Sequence, residues 1–99
     1  MSDYKYAASP PEWVPELPRE YDTETQSGEV VEEVGVIQET GDTTYWKALQ
    51  RIEVEDGPDE IRACYYTKDG DSAQFQRNPM SLPEEPLTEL VSFAEGKIL

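Results

Sequence analysis

Three short runs of strand-forming residues, closed by glycine turns, lie between Thr43 and Arg77, and they limit this chain to a sheet-based fold. The first run is Thr43 to Glu55 (TTYWKALQRIEVE). It is rich in β-branched and aromatic residues, and polarity alternates through its second half, the period-2 signature of a strand with one buried face. Trp46, Ala48, Ile52 and Val54 share one parity; Tyr45, Lys47, Leu49, Arg51 and Glu53 share the other. Asp56-Gly57-Pro58-Asp59 then turns the chain: glycine accepts positive φ, proline fixes φ, and aspartate bonds to nearby backbone. The second run, Glu60 to Thr67, places Ile61, Ala63 and Tyr65 on one side and Arg62, Cys64 and Tyr66 on the other. Asp69-Gly70 is a strong hairpin signal. The third run, Ser72 to Arg77, turns Ala73 and Phe75 to the core and Gln74 and Gln76 outward.

Upstream, Glu29 to Glu39 predicts a further strand. Its alternation is imperfect: Val30, Val34 and Val36 share a parity with Glu32, whereas Val31 and Ile37 share one with Glu33 and Gly35. Gly35 inside such a run marks a bulge or a close crossing. Downstream, Ser81-Leu82-Pro83-Glu84 has the spacing of a capping box. Leu87, Leu90, Val91 and Ala94 follow at i, i+3, i+4 and i+7, the stripe of an amphipathic helix, which Gly96 ends. Ile98 and Leu99 are expected to tuck against the domain or a second subunit.

Residues 1–28 read as a disordered tail. They hold four of the eight prolines, many acids and few aliphatics, too little apolar surface to offset the entropy of ordering. The expected fold is therefore α+β: a four-stranded antiparallel β-meander followed by one C-terminal α-helix, in a single domain over 29–99, with the tail before it. Trp46, Ile52, Val54, Ile61, Phe75, Leu87, Leu90 and Val91 form the expected core. Within the tail, Trp13 and Leu17 stand among prolines and acids in a pattern suited to docking on a partner or packing on their own domain.

Charge narrows the function classes. Lys and Arg total 8 against 22 Asp and Glu, with no His, for a net charge of −14. That opposes nonspecific attraction to nucleic acid or anionic membrane, and it is also the composition of proteins adapted to a salt-loaded cytoplasm. Residues 1–42 hold 11 acids and 2 bases, and residues 43–99 hold 11 acids and 6 bases. Five of the six are Lys47, Arg51, Arg62, Lys68 and Arg77, inside the three-strand stretch. Cys64 is the sole cysteine, so no intrachain disulfide forms and a reducing compartment, the cytoplasm, is the expected location. No stretch has the apolar length to span a membrane, and no secretory signal is visible. Without His, and with one Cys, the chain lacks a nitrogen–sulfur zinc set. The turn aspartates lack EF-hand spacing, and no phosphate-binding glycine loop occurs. Neither a metal, a cofactor nor an enzyme is expected.

With Trp46 and Ile52 inward, the outward sheet face carries Lys47, Arg51, Arg62 and Tyr66, with Arg77 beside them. Cations for phosphates and an aromatic for base stacking make this a candidate single-stranded nucleic-acid platform. The alternative is an acidic protein–protein interaction module, or a mimic of nucleic-acid charge, that binds a basic partner.

The segment from Glu60 to about Glu95 also resembles a known family. Ile61-Arg62, Tyr65-Tyr66, Asp69-Gly70, and Met80-Ser81-Leu82 leading into a helix with Leu87 and Leu90 are similar to the core of the single-stranded-DNA-binding transcriptional coactivators of the positive-cofactor-four type. The resemblance implies a ββββα unit, a homodimer through the helix, and curved sheets that bind unpaired DNA, with Arg62 and Tyr66 as the residues carried over. The chain departs from that family in lacking an excess of basic residues around the sheet and in its acidic N-terminal segment.

Overall fold

The structure, a computed structural model, describes residues 3–7, 9–22, 24, 26–76 and 80–99. Six strands form one antiparallel sheet, and one helix closes the chain: β1 Asp3–Ala7, β2 Arg19–Asp22, β3 Ser27–Thr40, β4 Thr43–Val54, β5 Glu60–Asp69, β6 Ser72–Gln76 and α1 Glu84–Ala94. The strand order is β1-β3-β4-β5-β6, and β2 also pairs with β3. The fold is α+β as expected, with two strands more than the four of the meander. Both extra strands come from the segment expected to be disordered. β1 pairs with the second half of β3 (Tyr6 opposite Val36), and β2 with its first half (Arg19 opposite Val30). Together they take up the backbone groups of an edge that a four-stranded sheet would leave open.

The meander itself follows its turn chemistry. Gly41 and Gly70 sit at φ 58° and 63°, in two-residue loops that close Thr40 on Thr43 and Asp69 on Ser72. Positive φ is nearly free of cost only for glycine.

Both sheet faces are covered, by different elements. On one face Val34, Val36 and Leu49 pack beneath Leu90, Ala94 and Ile98, flanked by Tyr4, Tyr6, Met80 and Leu82. On the other, Trp46, Ala48, Cys64 and Tyr66 pack beneath Val14, with Trp13, Ala7 and Ile37 around them. The helix therefore lies on the Leu49 face and not, as expected, on the Trp46 face. β4 is buried on alternate and on adjacent positions alike, the pattern of a strand with two covered faces. Parity alone could not assign them.

The irregular alternation of β3 has a local cause. Val30 lies opposite Ile52 and Glu32 opposite Arg51, so Val31 is an extra residue at a bulge. The bulge puts Val30 and Glu33 on the Trp46 face, and Val34 and Val36 under the helix. Gly35 marks a close crossing instead. A Cβ built there would lie 2.6 Å from the Lys47 carbonyl oxygen and 2.9 Å from Cη2 of Trp46, whose ring passes over it. Gly35→Ala is expected to destabilise the domain by about 1–3 kcal/mol through overpacking. Urea unfolding of that variant should show a lower midpoint at an unchanged slope; an unchanged midpoint would mean that Trp46 has room to move.

The expected core is met in part. Trp46, Ile52 and Leu90 are buried, while Ile61, Phe75, Leu87 and Val91 remain about 40 % exposed. Ile61 lies opposite Arg51 on the helix face, past the cover of a helix that packs on β1 and β3. Phe75 sits on the edge strand β6. Of the last two residues, Ile98 is buried and Leu99 is exposed. The helix starts after Pro83 with no side-chain cap, so the Ser81 capping box does not form; the Ser81 carbonyl oxygen accepts from Lys47 Nζ at 2.9 Å instead. Glu89, on the flank of α1 toward β1, hydrogen-bonds Tyr6, and that bond, with burial, holds the phenol up at about 12. No helix is long and apolar enough to cross a membrane, among the described residues.

Candidate functional site

A polar network is built on the Trp46 face, and it shares Trp46 with the cluster under Val14. Its centre is Glu33, fully buried in β3. Arg19 Nη2 in β2 donates to Glu33 Oε1 at 2.8 Å, and Trp46 Nε1 and Gln50 Nε2 in β4 donate to Oε2 at 3.1 and 2.7 Å. Gln50, also fully buried, accepts through Oε1 from Arg62 Nε at 2.9 Å and Nη2 at 2.6 Å. Arg19 also donates to the Pro15 carbonyl, which ties β2 to the covering segment. The guanidinium planes finish on rings: Arg19 lies 5.5 Å from the Tyr66 centroid and Arg62 5.2 Å from that of Phe75. Tyr66 and Phe75 meet edge to face at 5.2 Å. A buried carboxylate is tolerated here because a guanidinium and two further donors replace its water.

The proposed platform residues do not share one face. The register sets Trp46 opposite Tyr66, Gln50 opposite Arg62, and Lys47 opposite Tyr65. Directly opposed residues point to the same side. Arg62 and Tyr66 therefore lie with Trp46, and Lys47 and Arg51 lie on the helix face. The expected face combined the two sets through a one-residue slip between β4 and β5, which exchanges every side chain of a strand. Tyr66 is buried. Arg51 reaches Asp59 at 2.8 Å across the β4–β5 turn and donates to the Ile98 carbonyl at 2.9 Å. With both partners of the ion pair more than a third exposed, the pair itself adds little stability. Arg77 lies outside the described residues.

Trp13 and Leu17 meet their own domain: Trp13 joins the Trp46 cluster, and Leu17 is half-buried beside Val31 and Glu32 at a cleft. Cys64 is buried, and burial pushes its thiol up to about 11 against the smaller opposing pull of Arg62. Such a thiol is a poor nucleophile at neutral pH. No group of three or more His, Cys, Asp or Glu suited to a metal occurs among the described residues.

The helix face is open over β5 and β6. Two cross-strand rows run over it: Tyr4, Gln38, Tyr45, Thr67 and Gln74, then Tyr6, Val36, Lys47, Tyr65 and Gln76. Tyr45 and Tyr65 stand 6.1 Å apart at 38°, and Lys47 Nζ lies 5.4 Å from the Tyr45 centroid. A cleft of about 240 Å³ opens here, lined by Gln38, Thr40, Tyr45, Lys47, Tyr65 and Ser81. Burial lowers the Lys47 ammonium from its ordinary range.

Sequence reasoning missed the members of both constellations that matter most. Glu33 carried one signal, its place between Val31 and Val34 in a valine-rich strand, which its neighbour Glu32 shares; Tyr45 and Tyr65 carried none beyond their strand setting. Comparison with known proteins adds no neighbour: no family model, no curated protein and no solved structure matches the chain.

Proposed function

We propose that the chain is a small, non-enzymatic binding module whose acidic surface takes a basic protein partner. One observation carries the reading. Arg19, Lys47, Arg51 and Arg62 are engaged with groups of their own domain, whereas every carboxylate whose side chain is described, other than Glu33 and Glu60, is exposed. The Arg19–Glu33 pair cancels in the interior, so the net charge of −14 is carried by the surface. Such a field steers cationic partners inward and repels polyanions.

A labelled lysine- and arginine-rich peptide and a labelled mixed-sequence single strand, each titrated with the protein and followed by anisotropy, test this. The peptide should bind at low salt, retain measurable binding at about 0.15 M where the screening length is about 8 Å, and lose it at 1 M. Absence of peptide binding at low salt would overturn the reading.

A second reading, engagement of single-stranded nucleic acid, is supported by Tyr45, Tyr65 and Lys47 on the open half of the helix face, and it is what the coactivator resemblance implies. That resemblance also implies pairing of two copies through the helix, which would cover the exposed Leu87 and Val91.

A further inference from the structure

We infer that the cleft between Gln38, Tyr45, Lys47 and Tyr65 is a binding site for a planar ring that carries one anionic group, a ligand the size of a single nucleotide. The inference rests on the second reading above only for one of its two possible sources, an unpaired nucleotide within a strand; the other is a free nucleotide.

Three features of the cleft select that chemistry. The first is charge. The lining contains one cation and no carboxylate, on a chain of net charge −14. Among the described residues Lys47 has no carboxylate partner. Its ammonium gives one hydrogen bond, to the Ser81 carbonyl, and an ammonium has three donors. A half-buried lysine with donors to spare and no counter-ion is one that an anion would stabilise, because the anion restores what burial removes.

The second feature is the pair of rings. Tyr45 and Tyr65 are both half-buried and lie on adjacent strands, with Lys47 opposite Tyr65 in the register. Their 38° tilt leaves a wedge rather than a closed stack. A flat heterocycle is the shape that can lie against one ring while its anionic group meets the ammonium.

The third is Gln38. Its Oε1 is buried and receives no hydrogen bond. Buried polar atoms are seldom left so, and bulk water does not reach this one. A ligand N–H pressed to the cleft floor, with a turn of the amide, supplies the missing donor, and nucleobases carry such N–H groups at their edges. At about 240 Å³ the cleft falls just below the usual range of roughly 300–1,000 Å³ for drug-sized ligands. It holds one ring system and excludes a duplex.

The test is an NMR and calorimetric titration of the full chain with adenosine monophosphate, with adenosine, with inorganic phosphate, and with a mixed-sequence single strand. It is repeated for Lys47→Met, Tyr65→Ala and Gln38→Leu, each first checked for native chemical-shift dispersion. The expected result is binding of the monophosphate with shifts of the Gln38 side-chain amide. Lys47→Met and Tyr65→Ala should each weaken binding about tenfold or more. Binding of the strand alone, with the same losses, also supports the site and makes a strand the source. Strand binding that none of the variants alters would overturn the cleft and leave the second reading standing. Equal binding of inorganic phosphate and the monophosphate would reduce the site to an anion contact and overturn the ring. Binding of neither monophosphate nor strand would overturn the cleft and the second reading together.

Discussion

Glu33→Ala is expected to lower the stability of the domain by about 3–5 kcal/mol, the range for breaking a buried ion pair by removing one partner. The geometry sets the size. Glu33 is fully buried and accepts from three side chains on two strands. Its removal leaves the Arg19 guanidinium, whose side chain is only 15 % exposed, without its counter-ion, and leaves Trp46 Nε1 and Gln50 Nε2 with no acceptor. The lost desolvation balance exceeds the lost hydrogen bonds themselves, because unsatisfied buried donors cost more than a satisfied bond contributes. In a chain of 99 residues, each kcal/mol moves the melting temperature by about 4–8 °C, so a fall of roughly 15 °C or more should appear in a thermal scan followed by circular dichroism. A double-mutant cycle with Arg19→Met separates the pair from the rest of the network. The double variant should be less destabilised than the two single effects added, since Arg19 has no buried charge left to answer once Glu33 is gone. A melting temperature within a few degrees of the parent would mean that water enters and satisfies the site.

The parts of this fold that were legible in the sequence are those where local chemistry leaves one choice. Asp69-Gly70 and the Gly41 turn could serve only as tight reversals, and both hairpins form on them. Leu90 and Ala94 carry the buried side of a helix whose place in the chain was set by their spacing. The assignment of faces was another matter. A period-2 pattern says which residues travel together, not which cover they travel toward. Here both covers exist, so Trp46 and Leu49 are both buried from opposite sides of one strand. The slip lies between β4 and β5: Phe75 does share the Trp46 face, opposite Tyr66, whereas Ile61, expected beside Trp46, lies on the helix face. Arg62 and Tyr66 hold that place instead, through bonds to Gln50 and contacts with Arg19. Polar residues that fill a core as a satisfied network resemble surface residues in composition, and nothing at the level of a single strand separates the two.

The N-terminal segment is the sharpest case, and its deletion gives the second large effect. A chain starting at Gln26 is expected to fail to fold as the parent does, with collapse of near-ultraviolet dichroism and of amide shift dispersion, and with association at the exposed strand. As a disordered tail, the segment could be cut away without loss. As observed, it supplies β1 and β2, which pair along the outer edge of β3 at Gly35–Glu39 and Ser27–Val30. It supplies Val14, 3 % exposed, and Trp13 over the Trp46 cluster, and it supplies Arg19 to Glu33. Burial of one such valine contributes about 1.5–3 kcal/mol, and loss of the Arg19 charge from Glu33 about 3–5 kcal/mol. The two together already match much of the 5–15 kcal/mol that holds a typical domain folded, before any strand pairing is counted. Val14→Asp tests the same point with the chain intact: a carboxylate placed over Ala48, Cys64 and Tyr66 loses its water against apolar atoms that Val14 now covers. The segment's composition read as disorder because its apolar residues are few. Tyr4, Tyr6, Trp13 and Val14, however, land on faces already half-built by β3 and β4, and a segment that completes another element's core needs no core of its own. Retention of native dispersion after the deletion would show that β3 to α1 is self-sufficient, and would make β1, β2 and their connecting segment a removable cover over the Glu33–Gln50–Arg62 network.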